Sequence, residues 1–200
     1  MYSLLIDPIL HSLRPRIARC LADRRALRVL DIGCATGAQA RVLARERFEV
    51  VGVDSSPDMV ASAAKRMPSI PFVQASALEL PFPQGTFDAA ILSLALHEHP
   101  EEERTAMVRE ALRVVHSQGT LVVADFARPK RSSLHIPWQV IRAVEFSAGP
   151  EHHAGFADYV RHDALAGLLA RLALVADETK RSHFGCISIV AVTKSSAISP

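Results

Sequence analysis

A short apolar segment that leads into a glycine-bearing turn constrains the fold of this 200-residue chain more than any other feature. The segment reads Val29-Leu-Asp-Ile-Gly-Cys-Ala-Thr-Gly-Ala38, and it predicts a buried strand followed by a turn and a helix. Gly33 and Gly37 have no side chain, so the backbone there can approach a ligand closely or adopt a positive φ. The helix that follows offers unpaired N–H groups at its N-terminus. This arrangement is typical of a nucleotide-cofactor loop.

The glycine spacing indicates which class of cofactor the loop suits. A dinucleotide-binding loop carries G-x-G-x-x-G to seat a pyrophosphate. Here Gly33 and Gly37 have three residues between them, and Asp31 lies just upstream, so the loop favours a ligand without a phosphate. A second apolar run, Val50 to Val53, ends at Asp54, and a carboxylate at the tip of a second strand can accept hydrogen bonds from both hydroxyls of a ribose.

Four motifs, in the right order, resemble those of class I S-adenosylmethionine-dependent methyltransferases. Residues 29–38 and 51–54 are similar to the first two motifs, 72–82 to the third, and 119–125 to the fifth strand. The resemblance covers about residues 27–127. It implies an α/β fold, with a Rossmann-like doubly wound sheet of seven strands that is mostly parallel and has a C-terminal antiparallel hairpin. It also implies S-adenosylmethionine as the cofactor.

The hydrophobic pattern agrees with this fold. Strands are predicted at about 28–32, 49–53, 71–74, 87–94, 119–126, 173–178 and 186–193. Helices are predicted over 38–46, 57–67 and 102–115, with Pro57 in a first turn capped by Ser55 or Ser56, and a further helix is predicted over 8–22. Alternating strands and helices imply right-handed crossovers, whereas the short connection 180–185 predicts a hairpin.

The resemblance also implies a role for each cofactor residue. Asp31 would hold the amino group of the methionine moiety, and Asp54 would take the ribose hydroxyls, with a helix N-cap as its alternative role. Many relatives carry an acid at position 76, so Ser76 predicts that adenine relies more on the backbone of Ala77 and on apolar walls. The predicted cofactor-binding residues are Asp31, Gly33, Cys34, Gly37, Asp54, Ser55, Met59, Ser76 and Ala77.

His97 follows the predicted fourth strand and is the predicted catalytic base. Imidazole suits proton transfer near neutral pH because its unperturbed pKa lies there. A cap for the following helix is the alternative role of this segment. We expect no metal site, because neighbouring Glu98 and His99 would point in other directions than His97, and the three cysteines have neither zinc-site spacing nor a disulfide pattern.

The chain is predicted to form a single methyltransferase domain over 1–200, with an N-terminal helical lid over 1–26 and an inserted substrate cap over 128–160. The cap concentrates aromatic and titratable side chains on the side of the sheet where open α/β folds bind ligands. A cap that only completes the core is the alternative, and the helix over 8–22 could pack on the core or contact a membrane surface. The predicted substrate-binding residues are Trp138, His152, His153, Phe156 and Tyr159.

Composition limits the partners that this chain can have. The 23 basic and 21 acidic residues are interspersed, so we expect no nucleic-acid partner. No apolar run approaches the roughly 20 residues that span a bilayer, and the N-terminal segment does not read as a signal peptide, so we expect a cytoplasmic protein without stable membrane insertion. Peripheral membrane contact and the oligomeric state stay open.

These features predict S-adenosylmethionine-dependent methyl transfer to a small-molecule acceptor. Residues 4–15, 80–82, 94–98 and 152–169 resemble ubiquinone/menaquinone C-methyltransferases and phospholipid N-methyltransferases, which implies an apolar or amphiphilic acceptor. One alternative is a non-catalytic cofactor- or partner-binding module, favoured by Ser76 and by an unusual turn at 115–119. The other is an NAD(P)-dependent oxidoreductase, which the missing glycine pattern disfavours.

Overall fold

Strand-forming and helix-forming segments alternate along most of the chain, and they form one seven-stranded sheet with helices packed against it. The computed structural model describes residues 2–129, 135–147 and 149–194. The strands are β1 (Arg28–Ile32), β2 (Glu49–Asp54), β3 (Phe72–Gln74), β4 (Phe87–Ser93), β5 (Val115–Phe126), β6 (Glu178–Ser182) and β7 (Ile187–Thr193). The helices are α1 (Tyr2–Ala22), α2 (Ala38–Arg45), α3 (Pro57–Arg66), α4 (Glu101–Val114), α5 (His135–Ser147), α6 (Pro150–Arg161) and α7 (Ala164–Arg171).

The strand order places a crevice beside β1. The order across the sheet is β3-β2-β1-β4-β5-β7-β6, with β1 to β5 parallel and β7 antiparallel to both of its neighbours. The chain runs outward from β1 through β2 to β3, and it then returns to the other side of β1 with β4. The carboxyl ends of β1 and β4 therefore form a topological switch point, where open α/β sheets bind ligands.

The buried strands read as continuous apolar runs because helices cover both faces of the sheet. Ala89 to Leu92 of β4 are fully buried, and Leu30 of β1 lies in register with Val51 on one side and Ala90 on the other. Ser56 caps α3 and Pro57 occupies its first turn, as predicted. Three glutamates fill the first turn of α4, where carboxylates favour the helix dipole.

Helix α1 packs on the core. Leu13, Ile17 and Leu21 are fully buried in the main hydrophobic cluster. The helix begins at Tyr2, earlier than the predicted start at residue 8. The structure thus shows the packing role, while the role of 1–26 as a lid stays a prediction.

The predicted sheet is confirmed, but β6 was placed wrongly and β5 starts at Val115, four residues earlier than predicted and within the segment predicted as a turn. The segment 173–178 is a loop up to residue 177, and β6 starts at Glu178. The loop misled the prediction because Leu174 and Ala176 pack partly buried against the core in an alternating pattern, whereas β6 itself is a polar edge strand. The pattern also left α5, α6 and α7 unpredicted. Residues 130–134 and 148 of the predicted cap lie outside the described residues.

All three cysteines, at positions 20, 34 and 186, are buried and free. Among the described helices, none is long and apolar enough to cross a membrane.

Candidate cofactor-binding site

A cavity of about 580 Å³ opens at the switch point. Its walls come from the carboxyl ends of β1, β2 and β4, from the loop after β3, and from one turn of α1 that contributes Arg14. The predicted residues that line it are Asp31, Gly33, Cys34, Asp54, Ser55, Met59, Ser76, Ala77 and His97. The structure therefore brings together nine residues that are spread over 67 positions of the sequence.

Asp31, the next-to-last residue of β1, is buried and belongs to the residues that line the cavity. Only 1% of the residue is exposed, and its Oδ2 has no hydrogen-bond partner among the described residues. Burial raises the pKa of Asp31 to about 7, against the opposing effects of a hydrogen bond from the Ala40 N–H and of the Arg14 charge. A buried oxygen without a partner at a cavity wall suits a cationic hydrogen-bond donor on a ligand.

The glycine loop contributes bare backbone to the same wall. Gly33 adopts φ +70°, and a Cβ there would lie 3.3 Å from Ala95 Cβ in the loop after β4. Cys34 lies beside it with a buried thiol, and burial raises the pKa of that thiol far above its usual range. The thiol therefore packs against the loop in its neutral form.

Gly37 packs closely at the end of the glycine loop, and its predicted role at the cofactor stays a prediction. It caps α2 with φ +78° and is absent from the cavity wall formed by the described residues. A Cβ at this position would lie 2.4 Å from Met67 Cε and 2.9 Å from Phe72 Cζ. The glycine is required because α2 begins in a left-handed conformation directly against α3 and β3.

Asp54 ties the glycine loop to α3 while it faces the cavity. Its Oδ2 accepts a hydrogen bond from the Ala35 N–H at 2.8 Å, and its Oδ1 accepts from the Ser56 N–H at 2.9 Å. Both the ribose role and the helix-start role considered from the sequence are compatible with this geometry, because each carboxylate oxygen can accept two hydrogen bonds. Ser55 and Met59 line the cavity beside it.

The loop after β3 forms a largely apolar wall. Ala75, Ala77 and Leu78 line the cavity there. The Ser76 hydroxyl accepts a hydrogen bond from the Leu78 N–H at 3.1 Å, so it stabilises the turn and keeps its own O–H available as a donor. The predicted contact of adenine with the Ala77 backbone and with these apolar walls stays a prediction.

His97 lies at the edge of the cavity within a buried polar cluster. Its Nδ1 is 3.0 Å from Asp125 Oδ1, and its Nε2 is 3.5 Å from Glu145 Oε2. The second distance is an ion-pair contact, and Nε2 makes no hydrogen bond within the described part of the chain. Burial alone would lower the pKa of His97, but the carboxylates of Asp125 and Glu145 raise it to about 10. The imidazole is therefore protonated at neutral pH.

The predicted substrate residues are not in the walls that the described residues form around this cavity. Trp138, His153 and Phe156 line a separate pocket of about 340 Å³ together with three arginines. His152 joins the His97 cluster, with its Nε2 2.6 Å from Glu145 Oε2. Tyr159 is buried against the guanidinium of Arg104, with 5.0 Å between that group and the ring centre. Trp138, Phe156 and Tyr159 belong to the hydrophobic core, and the substrate role of all five residues stays a prediction.

Three residues at or near the cavity were not predicted as site residues from the sequence. Arg14 lies on the polar side of α1, and one long side chain on an amphipathic helix carries no distinguishing signal. Glu145 lies on α5, which was not predicted. Asp125 could have been found, because it ends an apolar strand in the same way as Asp31 and Asp54.

Comparison with known proteins gives the family. Residues 29–119 match the family described as "Methyltransferase domain". The demethylmenaquinone methyltransferase of Beutenbergia cavernae is 37% identical over 124 residues, 62% of this chain and 48% of that protein. The enzyme of the same name from Thermus thermophilus is 32% identical over 145 residues, 68% of this chain and 64% of that protein. The chain thus spans less than two thirds of the length of either relative.

Solved structures confirm the fold. The magnesium protoporphyrin IX methyltransferase of Synechocystis PCC 6803, solved with bound SAH, superposes with a TM-score of 0.66 at 20% identity. The alignment covers 92% of this chain and 82% of that one. The matched domain, the strand order and the cavity at the switch point together show that this chain belongs to the class I methyltransferases that use S-adenosylmethionine.

Proposed function

We propose that this chain transfers a methyl group from S-adenosylmethionine, bound in the switch-point cavity, to a small apolar or amphiphilic acceptor. The observation that carries the proposal is the Asp31 carboxylate, which is buried at the cavity wall with Oδ2 lacking a hydrogen-bond partner among the described residues. The ammonium of the cofactor's methionine moiety supplies the donor that this oxygen lacks.

The remaining walls fit the other parts of the cofactor. Asp54 has lone pairs left for the ribose hydroxyls after its two backbone contacts. Met59, Ala77 and Leu78 offer apolar surface to the adenine ring. Arg14 of α1 lies near the carboxylate of Asp31 and closes the methionine end of the cavity.

The chain's own residues have three tasks in this reaction. The cofactor, when bound, supplies a methyl group already activated on a sulfonium. The glycine loop and Asp31 orient the methionine moiety, while Leu94, Ala95 and Met107 line the rest of the cavity and exclude water from it. The part of the cavity that the cofactor does not fill is mostly apolar, and it suits an acceptor with apolar surface.

The names of the relatives support one acceptor class. Several curated relatives are demethylmenaquinone methyltransferases, which act on a quinone-type molecule by name. A quinol-like ring with an apolar tail agrees with the apolar walls of the cavity and is the first acceptor class to test. The base role predicted for His97 stays a prediction. Its imidazolium must lose a proton to Asp125, Glu145 or solvent before it can accept one.

Calorimetric titration with S-adenosylmethionine, S-adenosylhomocysteine (SAH) and NADH tests the cofactor. We expect binding of both sulfur nucleosides and none of NADH. Asp31→Asn should lower the affinity for both, while Asp58→Asn, at an exposed position in the first turn of α3, should leave it unchanged. Binding of NADH alone would overturn the proposal.

Methyl transfer itself is tested with radiolabelled cofactor and a panel of quinols, phenols and amphiphilic amines. Label in the extracted acceptor is the expected result for at least one apolar member of the panel. Tight cofactor binding without transfer to any acceptor would favour the non-catalytic module instead.

A further inference from the structure

We propose that His97, Glu145 and His152 form a binding site for a divalent transition-metal ion. The three residues come from the loop after β4, from α5 and from α6, and one ligand atom of each lies within 4.8 Å of the others. This inference goes beyond the methyl-transfer function and does not depend on it. This site also differs from the neighbouring residues His97, Glu98 and His99, for which the sequence predicts no metal site.

Both imidazoles direct the same nitrogen towards one carboxylate oxygen. His152 Nε2 is 2.6 Å and His97 Nε2 is 3.5 Å from Glu145 Oε2. His97 Nε2 is buried and makes no hydrogen bond to any described residue. Its contact with Glu145 is the longer ion-pair distance of 3.5 Å, so this nitrogen can take a further partner once its proton is displaced. An ion between the three atoms would be that partner.

The opposite nitrogen of each imidazole is held by another carboxylate. His97 Nδ1 lies 3.0 Å from Asp125 Oδ1, and His152 Nδ1 lies 3.1 Å from Glu98 Oε2. Each ring can keep its Nδ1 proton and donate it to that carboxylate, while an ion that binds at Nε2 displaces the proton that Nε2 carries beside Glu145. This carboxylate–histidine pairing is the arrangement that fixes tautomer and orientation in metal sites.

The elements that carry the ligands pack closely against each other. A Cβ on Gly155 of α6 would lie 2.4 Å from the backbone oxygen of Glu98, so α6 approaches the loop as closely as only glycine allows. The buried guanidinium of Arg104 donates to the Leu96 and Gly155 carbonyl oxygens, at 3.3 and 2.8 Å. His152 is therefore held beside His97 by contacts that do not involve an ion.

The donor set indicates the class of ion. Two imidazole nitrogens and one carboxylate oxygen suit Zn²⁺ or Fe²⁺ and leave coordination positions open. The ion would also add positive charge among the carboxylates of Asp125, Glu145 and Glu98. His152 is 16% exposed and Glu98 lines the cofactor cavity, so an ion can reach the site from solvent.

The test uses untagged protein that has been treated with a chelator. We expect calorimetry to show one high-affinity Zn²⁺ per chain, and Co²⁺ to give visible d–d absorption bands on binding. His152→Asn should weaken Zn²⁺ binding at least about 10-fold and abolish those bands. The matched control is His162→Asn, because exposed His162 forms a second possible ion-binding group with half-buried Glu101 and Asp158. We expect this variant to bind Zn²⁺ as the unmodified protein does.

Two results would overturn the inference. One is the absence of stoichiometric binding by folded protein. The other is equal Zn²⁺ binding by unmodified protein and His152→Asn, which would show only adventitious binding to surface histidines. His152 is partly exposed, so this variant should fold, and circular dichroism checks that it does. SAH titration of the same metal-free protein tests the cofactor site separately, so a failure of one proposal is distinguishable from a failure of the other.

Discussion

Replacing Asp31 by asparagine should stabilise the cofactor-free protein and weaken cofactor binding at the same time. The buried carboxylate is costly in the empty cavity, and burial raises its pKa from 3.8 to about 7. The folded protein therefore binds the Asp31 proton more tightly than the unfolded chain does. By linkage, this group makes stability fall as pH rises from about 4 to about 7.

The magnitude follows from the size of the pKa shift. A shift of about three units corresponds to about 4 kcal/mol between the protonated and ionised folded states. Asparagine has the same shape and can still accept from the Ala40 N–H, but its buried amide carries a smaller cost of about 1–2 kcal/mol. The net gain expected for Asp31→Asn above the pKa is therefore about 2 kcal/mol.

Urea unfolding, followed by the fluorescence of the single tryptophan, Trp138, measures this effect. Between about pH 5.5 and about pH 8, the unmodified protein should lose about 2 kcal/mol of stability relative to Asp31→Asn. In calorimetry above the pKa, the variant should bind SAH about 10- to 100-fold more weakly, because an ammonium loses a charged acceptor.

Stability measured across pH distinguishes the effect of burying Asp31 from the effect of removing any carboxylate. Asp58→Asn removes an exposed carboxylate and should follow the unmodified protein at every pH. Parallel stability curves for the unmodified protein and Asp31→Asn would refute the burial argument. Unchanged SAH affinity in Asp31→Asn would remove Asp31 from the cofactor site.

Three further variants test other parts of the site. Asp54→Ala should lower cofactor affinity by about 1.5–3 kcal/mol in calorimetry, and unchanged affinity in a folded variant would exclude the ribose role. Gly37→Ala should lower the free energy of unfolding by about 1–3 kcal/mol through strain and overlap with Met67, and equal urea midpoints would contradict this. His97→Gln should reduce methyl transfer more than SAH affinity, whereas normal turnover would limit His97 to a structural role.

The cofactor half of the site could be predicted because its residues lie at the ends of strands that the sequence pattern itself reveals. Asp31 and Gly33 end β1 and begin the next turn, and Asp54 ends β2. Parallel strands bring their carboxyl ends to one edge, so strand order alone collects these residues around one crevice. Gly37 shows the limit of this reasoning, because a sequence does not distinguish a glycine required by packing from one required by a ligand.

The cap could not be predicted for a different physical reason. Aromatic and titratable side chains after β5 indicated a substrate surface, yet Trp138, Phe156 and Tyr159 are buried and extend the core. Large aromatic side chains gain most from burial, so their clustering is equally typical of a small core under a cap. Glu145 and His152 meet His97 through the packing of α5 and α6, and no local pattern encodes such a meeting across 48 residues.

Asp31, Asp54 and Asp125 all lie at or next to the ends of strands, but their positions in the sheet give them different roles. Asp31 and Asp54 lie on β1 and β2, and both face the cofactor cavity. Asp125 lies near the end of β5, which is separated from β1 by β4. Its carboxylate accepts hydrogen bonds from the Leu96 and Phe126 N–H groups and also contacts His97 Nδ1. It therefore fixes the loop after β4 and directs His97 Nε2 towards Glu145. One loop, from residue 94 to residue 99, thus forms a wall of the cofactor cavity and supplies a ligand to the inferred metal site.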